Sequence, residues 1–544
     1  MRNGAASAIA LSWAAGFAAG PPRHFPHETR KLSQLTGDYD QPLREPTLNR
    51  TDERSHVIGT DLGNSFLHHG KLVFLFGDTF GRPGDQDSFA FGDTNFVENP
   101  ALRFPKDPDG AFEVIDPPGI LRSAFCVPSG GISVAGKMDV FYTSDWRKPN
   151  MTRSVLLQSA DDGENWRVLL DVSKDDPATP QFDAKFINCD AALVKPGEAN
   201  FPFSTDAQST VLIWGSGAYR ASDLYLVAAP EATFEDKSTW RYRTAEGWSA
   251  SESDAAPLFH HPQIGEFSVE WIAQLGRWML LYNSTSPRGI VMRTAEKPWG
   301  PWSEPDLILD PWKDRAYGEY MHIKPAPEPV DLFSDPGREN EFGGEYAPYL
   351  IPGTARGTAE RCEIFYVMST WNPYETVLMR SVVGNPPMDH PLVEAGETLP
   401  GDKSWKVRGE FIQRFDRKGA PCVTTFTSQK DAATGYAWFD LDADVLAVEF
   451  EIHGGHAEFM VVEDAKNFAE NLPVQKFYDL LKARKLGNVA FLATGANSNE
   501  PARRVHWDIR ACKANRRLVL IDNTTSPWGF VSLSPVQLFK AGNS

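Results

Sequence analysis

The chain has 544 residues, 41% of them hydrophobic, including 34 Phe, 16 Trp and 14 Tyr, enough to bury a large core in two or more domains or one big all-β unit. Its 43 Gly and 41 Pro imply many turns between short strands, so an all-β body is the first expectation. With 54 basic against 72 acidic residues the net charge is -18 and no long Lys/Arg cluster occurs, which argues against a nucleic acid or an anionic membrane surface as partner and suits a neutral or cationic ligand.

At the N-terminus, Arg2 precedes an apolar Ala-rich run from Ala5 to Ala19 that resembles a secretory signal, so residues 1–20 are expected to be a signal peptide and the protein secreted or periplasmic. The run is too short for a spanning helix, and a disordered leader or a misplaced start is the alternative. No later segment is apolar enough to cross a bilayer.

The next feature is Gly59-Thr60-Asp61-Leu62-Gly63, followed after one apolar hairpin by Phe76-Gly77-Asp78-Thr79. With His69-Gly70 as a two-residue loop, the strand before it pairs with Lys71 to Phe76 and Asp61 falls directly opposite Asp78. Like charges that close push one carboxyl pKa up and so supply an acid and a base, as glycoside hydrolysis requires. The alternative is that both are turn aspartates capping strand ends. His68 and His69 fall at the hairpin tip and read as turn residues.

From about Ser55 to Val383 the chain repeats short apolar strands in sequential pairs: Asp139 to Thr143 with Ser154 to Gln158, Thr210 to Gly215 with Asp223 to Ala228, Trp278 to Asn283 with Gly289 to Thr294, and Glu363 to Ser369 with Val377 to Ser381. That rhythm suits radially repeated four-stranded blades, about five at typical blade size. Ser159-Ala160-Asp161-Asp162-Gly163-Glu164-Asn165-Trp166 matches the Asp-box turn Ser-x-Asp-x-Gly-x-x-Trp, in which Asp161 is structural; weaker relatives occur at Thr294 to Trp302 and Phe234 to Trp240. The fold expected is therefore an all-β, five-bladed β-propeller over residues 21–390, a linker over 391–404, and a jelly-roll-like β-sandwich over 405–544. The last region alternates over Val445 to Ile452, Ala457 to Val462, Val489 to Thr494, Arg517 to Ile521 and Trp528 to Leu533, with one helix at about Val474 to Leu486 that places Phe477, Leu480 and Leu481 on one face. Cys126, Cys189, Cys362, Cys422 and Cys512 lie far apart with no CxxC pair, signalling neither zinc nor a disulfide framework and leaving isolated bridges open.

The phrases GTDLGNSF, FLFGDTFG, QSADDGENW, WGSGAYRASDLYLVA, IGEFSVEWIAQLGRWMLLY, KPWGPWSEP, GEYAPYLIP and FYVMSTWNPYETVLMRS, in this order over about residues 55 to 383, resemble the domain of unknown function 4185 family, some members of which form glycoside hydrolase family 183, the endo-D-arabinanases. The resemblance implies a propeller glycosidase with acidic residues around a central funnel, here Asp61, Asp78 and Glu266. Glu266 reads equally as a turn-flanking charge at the start of a strand. Arg220 would fork onto a sugar hydroxyl or a carboxylate, or serve a structural ion pair. Tyr346 and Tyr349 would stack on a sugar ring, and the Trp371, Asn372 and Tyr374 loop would either meet a furanose chain or close a blade. GGHAEFMVVED, ATGANSNEPARRVHWDI and RLVLIDNTTSPWGFVSL look similar to the sandwich appended to fructan-hydrolysing propellers, there more a buttress than a binder.

The expectation is a monomeric hydrolase acting on a polysaccharide or oligosaccharide with furanosidic linkages such as D-arabinan, with no cofactor and no metal. One rival is a non-catalytic, lectin-like propeller. The other is a metal-dependent lyase or phosphodiesterase using Asp61, Asp78 and Asp93 as oxygen ligands.

Overall fold

Five sheets in chain order begin with the strands Leu62–His68, Pro128–Val134, Asn188–Val194, Phe267–Ile272 and Gly344–Leu350. Each of these first strands contacts the next, and the last contacts the first, so the five close into a ring. In this computed structural model the described residues are 21–540 apart from 26–27, 85, 95–98, 121–124, 201–207, 262, 286, 313, 315, 324–337, 339–340, 386–396, 400–404, 410–411, 416–420, 426–432, 454–457, 467, 469–471, 484, 495–502, 511, 524–529, 531 and 534–535. The expected signal peptide and most of the expected linker lie outside them.

In the second to fifth sheets, strands two and three are the pairs expected from hydrophobic runs, with ends shifted or extended by a few residues: Lys137–Arg147 with Asn150–Ser159, Thr210–Ser216 with Leu224–Pro230, Arg277–Thr285 with Arg288–Ala295, and Cys362–Trp371 with Glu375–Gly384. They are apolar on both faces because each sheet is covered on both sides by neighbours. In Lys71–Thr79, Val73 and Leu75 pack against Val140, Tyr142, Val155 and Leu157 of the second sheet, while Phe74 and Phe76 pack against Phe365, Val367 and Leu378 of the fifth. The same interleaving joins the second sheet to the third through Phe141, Leu156, Val211 and Ile213, the third to the fourth through Trp214, Leu226, Val269 and Leu280, and the fourth to the fifth through Met279, Met292, Ile364 and Tyr366.

Two features were not read from sequence. Arg23–His24 and Arg30–Gln34 pair with Glu375–Gly384, so the N-terminal segment supplies the outer strands of the last sheet. Near the axis, Asp190 accepts from Asn64 Nδ2 at 3.0 Å and from Val269 N at 2.6 Å, while Asn64 Oδ1 accepts from Gly131 N at 3.2 Å, tying first strands of four sheets together.

The C-terminal region forms two further sheets. Val448, Phe450, Trp507 and Leu538 of one share a core with Ala437, Phe459, Val461 and Leu520 of the other. The helix spans Val474–Lys482, shorter than expected; its Phe477 and Leu481 are buried against the outer face of the second of these sheets, with Phe477 stacked on Tyr436 at 3.9 Å. The expected linker needs correction: Glu397–Leu399 is a strand paired with Val536–Lys540, because its backbone completes the edge of the first C-terminal sheet. Trp528, expected to start a strand, lies outside the described residues; Ser532–Leu533 is paired. Cys126, Cys189 and Cys362 are buried.

The Asp-box turn behaves as its pattern predicts. Ser159 Oγ accepts from Gly163 N and bonds Asp161 Oδ1, both at 2.8 Å, and Asp161 Oδ1 accepts from Asn165 N at 2.9 Å. Trp166 packs edge-on against Phe89, 5.9 Å between ring centres. Asp161 is thus a turn residue and lines no part of the site below.

Candidate active site

The hairpin carrying Asp61 and Asp78 turns at His69-Gly70 as expected, with His68 opposite Lys71. Asp61 is nevertheless not directly opposite Asp78. Asn64 pairs with Leu75 but Leu62 with Phe76, so Gly63 is an inserted residue. Leu62 and Gly63 have φ of 63° and 102°, the left-handed backbone of a β-bulge. The one-residue slip puts Asp61 against Gly77, whose N–H donates to Asp61 O at 3.2 Å. A second irregularity between Phe76 and Thr79 lets Asp78 leave the ladder. A Cβ on Gly77 would stand 2.7 Å from Asp61 Oδ1, so the bare Cα at 77 gives that carboxyl its place.

The two bulges deliver both carboxyls to one cavity of about 360 Å³. Asp61, Asp78, Glu266, Arg220, Tyr346, Tyr349 and Trp371 all line it, together with Leu62, Phe125, Val127, Met151, Asn188, Tyr219 and Tyr374. Its volume falls within the range of small-ligand sites, about 300–1,000 Å³.

Asp61 is buried, and that burial, with the charge of Asp78 next in weight, pushes its pKa up to about 8. Hydrogen bonds from Tyr374 and Tyr346 oppose the rise, and Glu266 adds a smaller push upward. Tyr346 Oη donates to Asp61 Oδ2 at 2.9 Å, while Tyr374 Oη stands 3.5 Å from Asp78 Oδ2. Across the cavity, Arg220 Nη2 donates to both oxygens of Glu266, at 2.9 and 3.0 Å, and Nε reaches Oε1 at 3.3 Å. The guanidinium also lies 4.9 Å from the ring centre of Tyr219 and 5.6 Å from that of Tyr346. Arg220 has φ 50°, an uncommon backbone state for a residue with a side chain.

Tyr346 and Tyr349 sit three apart on Gly344–Leu350, which in a regular strand would turn them to opposite faces. A register shift between them, with Ala347 at φ 52°, brings both into the cavity. Tyr349 Oη and Asp61 Oδ1 are buried there with no hydrogen-bond partner among the described residues. Trp371 is 40% exposed at the rim, with Arg338 over its ring at 4.4 Å, which corrects the blade-closing alternative for it. Phe125, Tyr219, Met151 and Asn188 were missed; Tyr219 had a signal in its adjacency to Arg220, whereas the other three come from separate strands and loops that only the ring assembles.

Asp93 does not join the pair. It is exposed and bonded to Arg103 at 2.7 and 3.3 Å, so the oxygen-ligand trio of Asp61, Asp78 and Asp93 is not assembled. A larger, open groove of about 780 Å³ is lined by Lys185, Glu252 and Asp183 among others. Its charges serve the backbone: Lys185 donates to Ser253 O and Ala255 O, and Glu252 accepts from Lys185 N.

Residues 47–380 match the family described as Domain of unknown function (DUF4185). The chain belongs to the DUF4185 family. Its fold is similar to that of an exo-beta-1,3-galactanase from Phanerochaete chrysosporium, at 9% identity and a TM-score of 0.36 over 94% of this chain and 100% of that one. It is also similar to an endo-1,5-alpha-L-arabinanase from Thermotoga petrophila, at 10% identity and a TM-score of 0.35 over 71% of this chain and 93% of that one. A GH93 alpha-L-arabinofuranosidase of Fusarium graminearum follows at 13% identity and a TM-score of 0.29, over 59% of this chain and 79% of that one. These likenesses are too distant to carry a function to the DUF4185 chain. No curated protein matches it.

Proposed function

We propose that this DUF4185 protein is a glycoside hydrolase that cleaves furanosidic linkages, such as those of D-arabinan, with Asp61 as proton donor. The observation that carries the reading is a buried carboxyl raised to about 8 beside a second carboxyl in a cavity walled by aromatic rings. At neutral pH the raised pKa keeps a proton on Asp61. Asp61 protonates the departing glycosidic oxygen, and Asp78, nearer solvent, activates water or attacks the anomeric carbon. Glu266, forked by Arg220, accepts from ring hydroxyls, and Tyr346, Tyr349 and Trp371 supply faces for the sugar. An apolar lining from Leu62, Phe125, Val127 and Met151 suits an uncharged glycan, as does a net charge of -18 that repels polyanions.

In this reading the closed ring is a five-bladed β-propeller, the two C-terminal sheets are a β-sandwich that buttresses it, and the protein works as a secreted or periplasmic monomer. The purified chain, offered D-arabinan, L-arabinan, fructan and sulfated algal glycans, should release reducing ends from a furanosidic polymer. Asp61→Asn and Asp78→Asn should each lower kcat by about 10²–10⁴-fold, the contribution of a positioned acid or base, while still binding the glycan. Undiminished hydrolysis in both variants would leave the cavity a binding site alone.

A further inference from the structure

We propose that His68, His69 and Asp162 bind a divalent transition-metal ion of the zinc type at the hairpin tips, away from the carboxyl pair. None of the three lines the cavity. Asp61 and His68 flank one strand, and seven residues at about 3.3 Å each separate the two ends by roughly 20 Å.

The cluster is built by two turns from adjacent sheets. His68 ends the strand Leu62–His68 and His69, at φ 46°, begins the turn, which brings the two ring centres within 4.0 Å. Asp162, at φ 57°, occupies the Asp-box turn whose flanking residues are bonded by Ser159 and Asp161, so its carboxylate is presented from a fixed backbone. His68 Nε2 and His69 Nδ1 both address Asp162 Oδ1, at 2.8 and 3.2 Å, and the three ligand atoms lie within 4.8 Å of one another. A tetrahedral ion with ligands at about 2.0–2.1 Å spaces its donor atoms about 3.3 Å apart, so small side-chain rotations admit it.

Two imidazoles with one carboxylate are a donor set for zinc and its neighbours, and a poor one for calcium or magnesium, which take oxygen. The remaining nitrogen of His68, Nδ1, lies 2.8 Å from Ser133 Oγ, the kind of outer contact that fixes a ligating imidazole. His68 is buried, whereas His69 and Asp162 are 58% and 60% exposed at their side chains, leaving one side of the cluster open for water to complete the coordination. An ion held there clamps the first sheet to the second. The adjacent histidines, read from sequence as plain turn residues, thereby gain a reason to sit at a tip that reaches its neighbour's Asp box.

The test uses the full chain stripped by chelator and titrated with Zn²⁺ by calorimetry and with Co²⁺ by visible absorption. One equivalent should bind, Co²⁺ should show the intense bands of low coordination, and Zn²⁺ should raise Tm. His69→Ala and Asp162→Ala should weaken binding by at least about tenfold each; His69→Ala should leave the metal-free Tm nearly unchanged, while Asp162→Ala, which takes a partner from the buried His68, should lower it by a few degrees with the chain still folded. His260→Ala removes another exposed histidine, bonded to Asp223, and should change nothing. Absence of stoichiometric binding, binding unaltered in both His69→Ala and Asp162→Ala, or loss in His260→Ala would overturn the site.

Discussion

Asp61 is placed by what is missing next to it. Its Oδ1 occupies the space a side chain at position 77 would need, and Tyr346 anchors Oδ2. Gly77→Ala should therefore displace the carboxyl and lower kcat by about a hundredfold with the fold retained, as circular dichroism and Tm would show. Unchanged turnover would mean that the position of Asp61 is not what sets the rate. The types of the site residues were legible in the sequence: two aspartates flanking a short hairpin, an arginine, and tyrosines in a Gly-Glu-Tyr-Ala-Pro-Tyr phrase. Their partners were not. Nothing in the spacing of Arg220 and Glu266 announces a bidentate pair, since they stand 46 positions apart with three strands between them.

At the scale of elements, the site depends on irregular strands. Gly63 slips the hairpin by one residue and Ala347 turns Tyr346 and Tyr349 to one side. Counting pairs outward from the His69-Gly70 loop assumes an unbroken ladder, which is why it put Asp61 opposite Asp78; a bulge leaves only a glycine as its trace. The second and third strands were readable as continuous apolar runs. Gly- and Pro-rich first strands such as Pro128–Val134 were not, because they pack against each other near the axis more than against a thick core. The Asp-box turn is separable from catalysis. Ser159→Ala removes the acceptor for Gly163 N and should cost about 1–3 kcal/mol, lowering Tm by several degrees while kcat stays the same. A drop in kcat in folded protein would tie this turn to the site.

For the whole molecule, packing of the sheets buries carboxyls at separate places and makes stability depend on pH. Burial pushes Asp61 up to about 8, Asp139 to about 7 and Asp190 to about 6, each from a starting value of 3.8. The native state therefore binds more protons than the unfolded chain from about pH 4 upward. The stability these groups contribute is complete below that point and is lost as pH rises through 6, 7 and 8, by up to about 1.4 kcal/mol per pH unit per group. Tm should fall most steeply from pH 5 to pH 6, more gently to pH 8, and level off above it, and a rise from pH 5 to pH 8 would contradict the raised values. The closure itself was only half legible: the repeat pointed to a ring of blades, but the strands Arg23–His24 and Arg30–Gln34 that complete the last sheet come from the other end of the chain and carry no turn pattern linking them to it.

The most direct measurement is the pH dependence of kcat/KM on the best glycan. A proton donor at Asp61 predicts an alkaline limb near pH 8 that disappears, with most of the activity, in Asp61→Asn. Activity that stays level to well above pH 9, or an alkaline limb that survives unchanged in Asp61→Asn, would contradict the assignment.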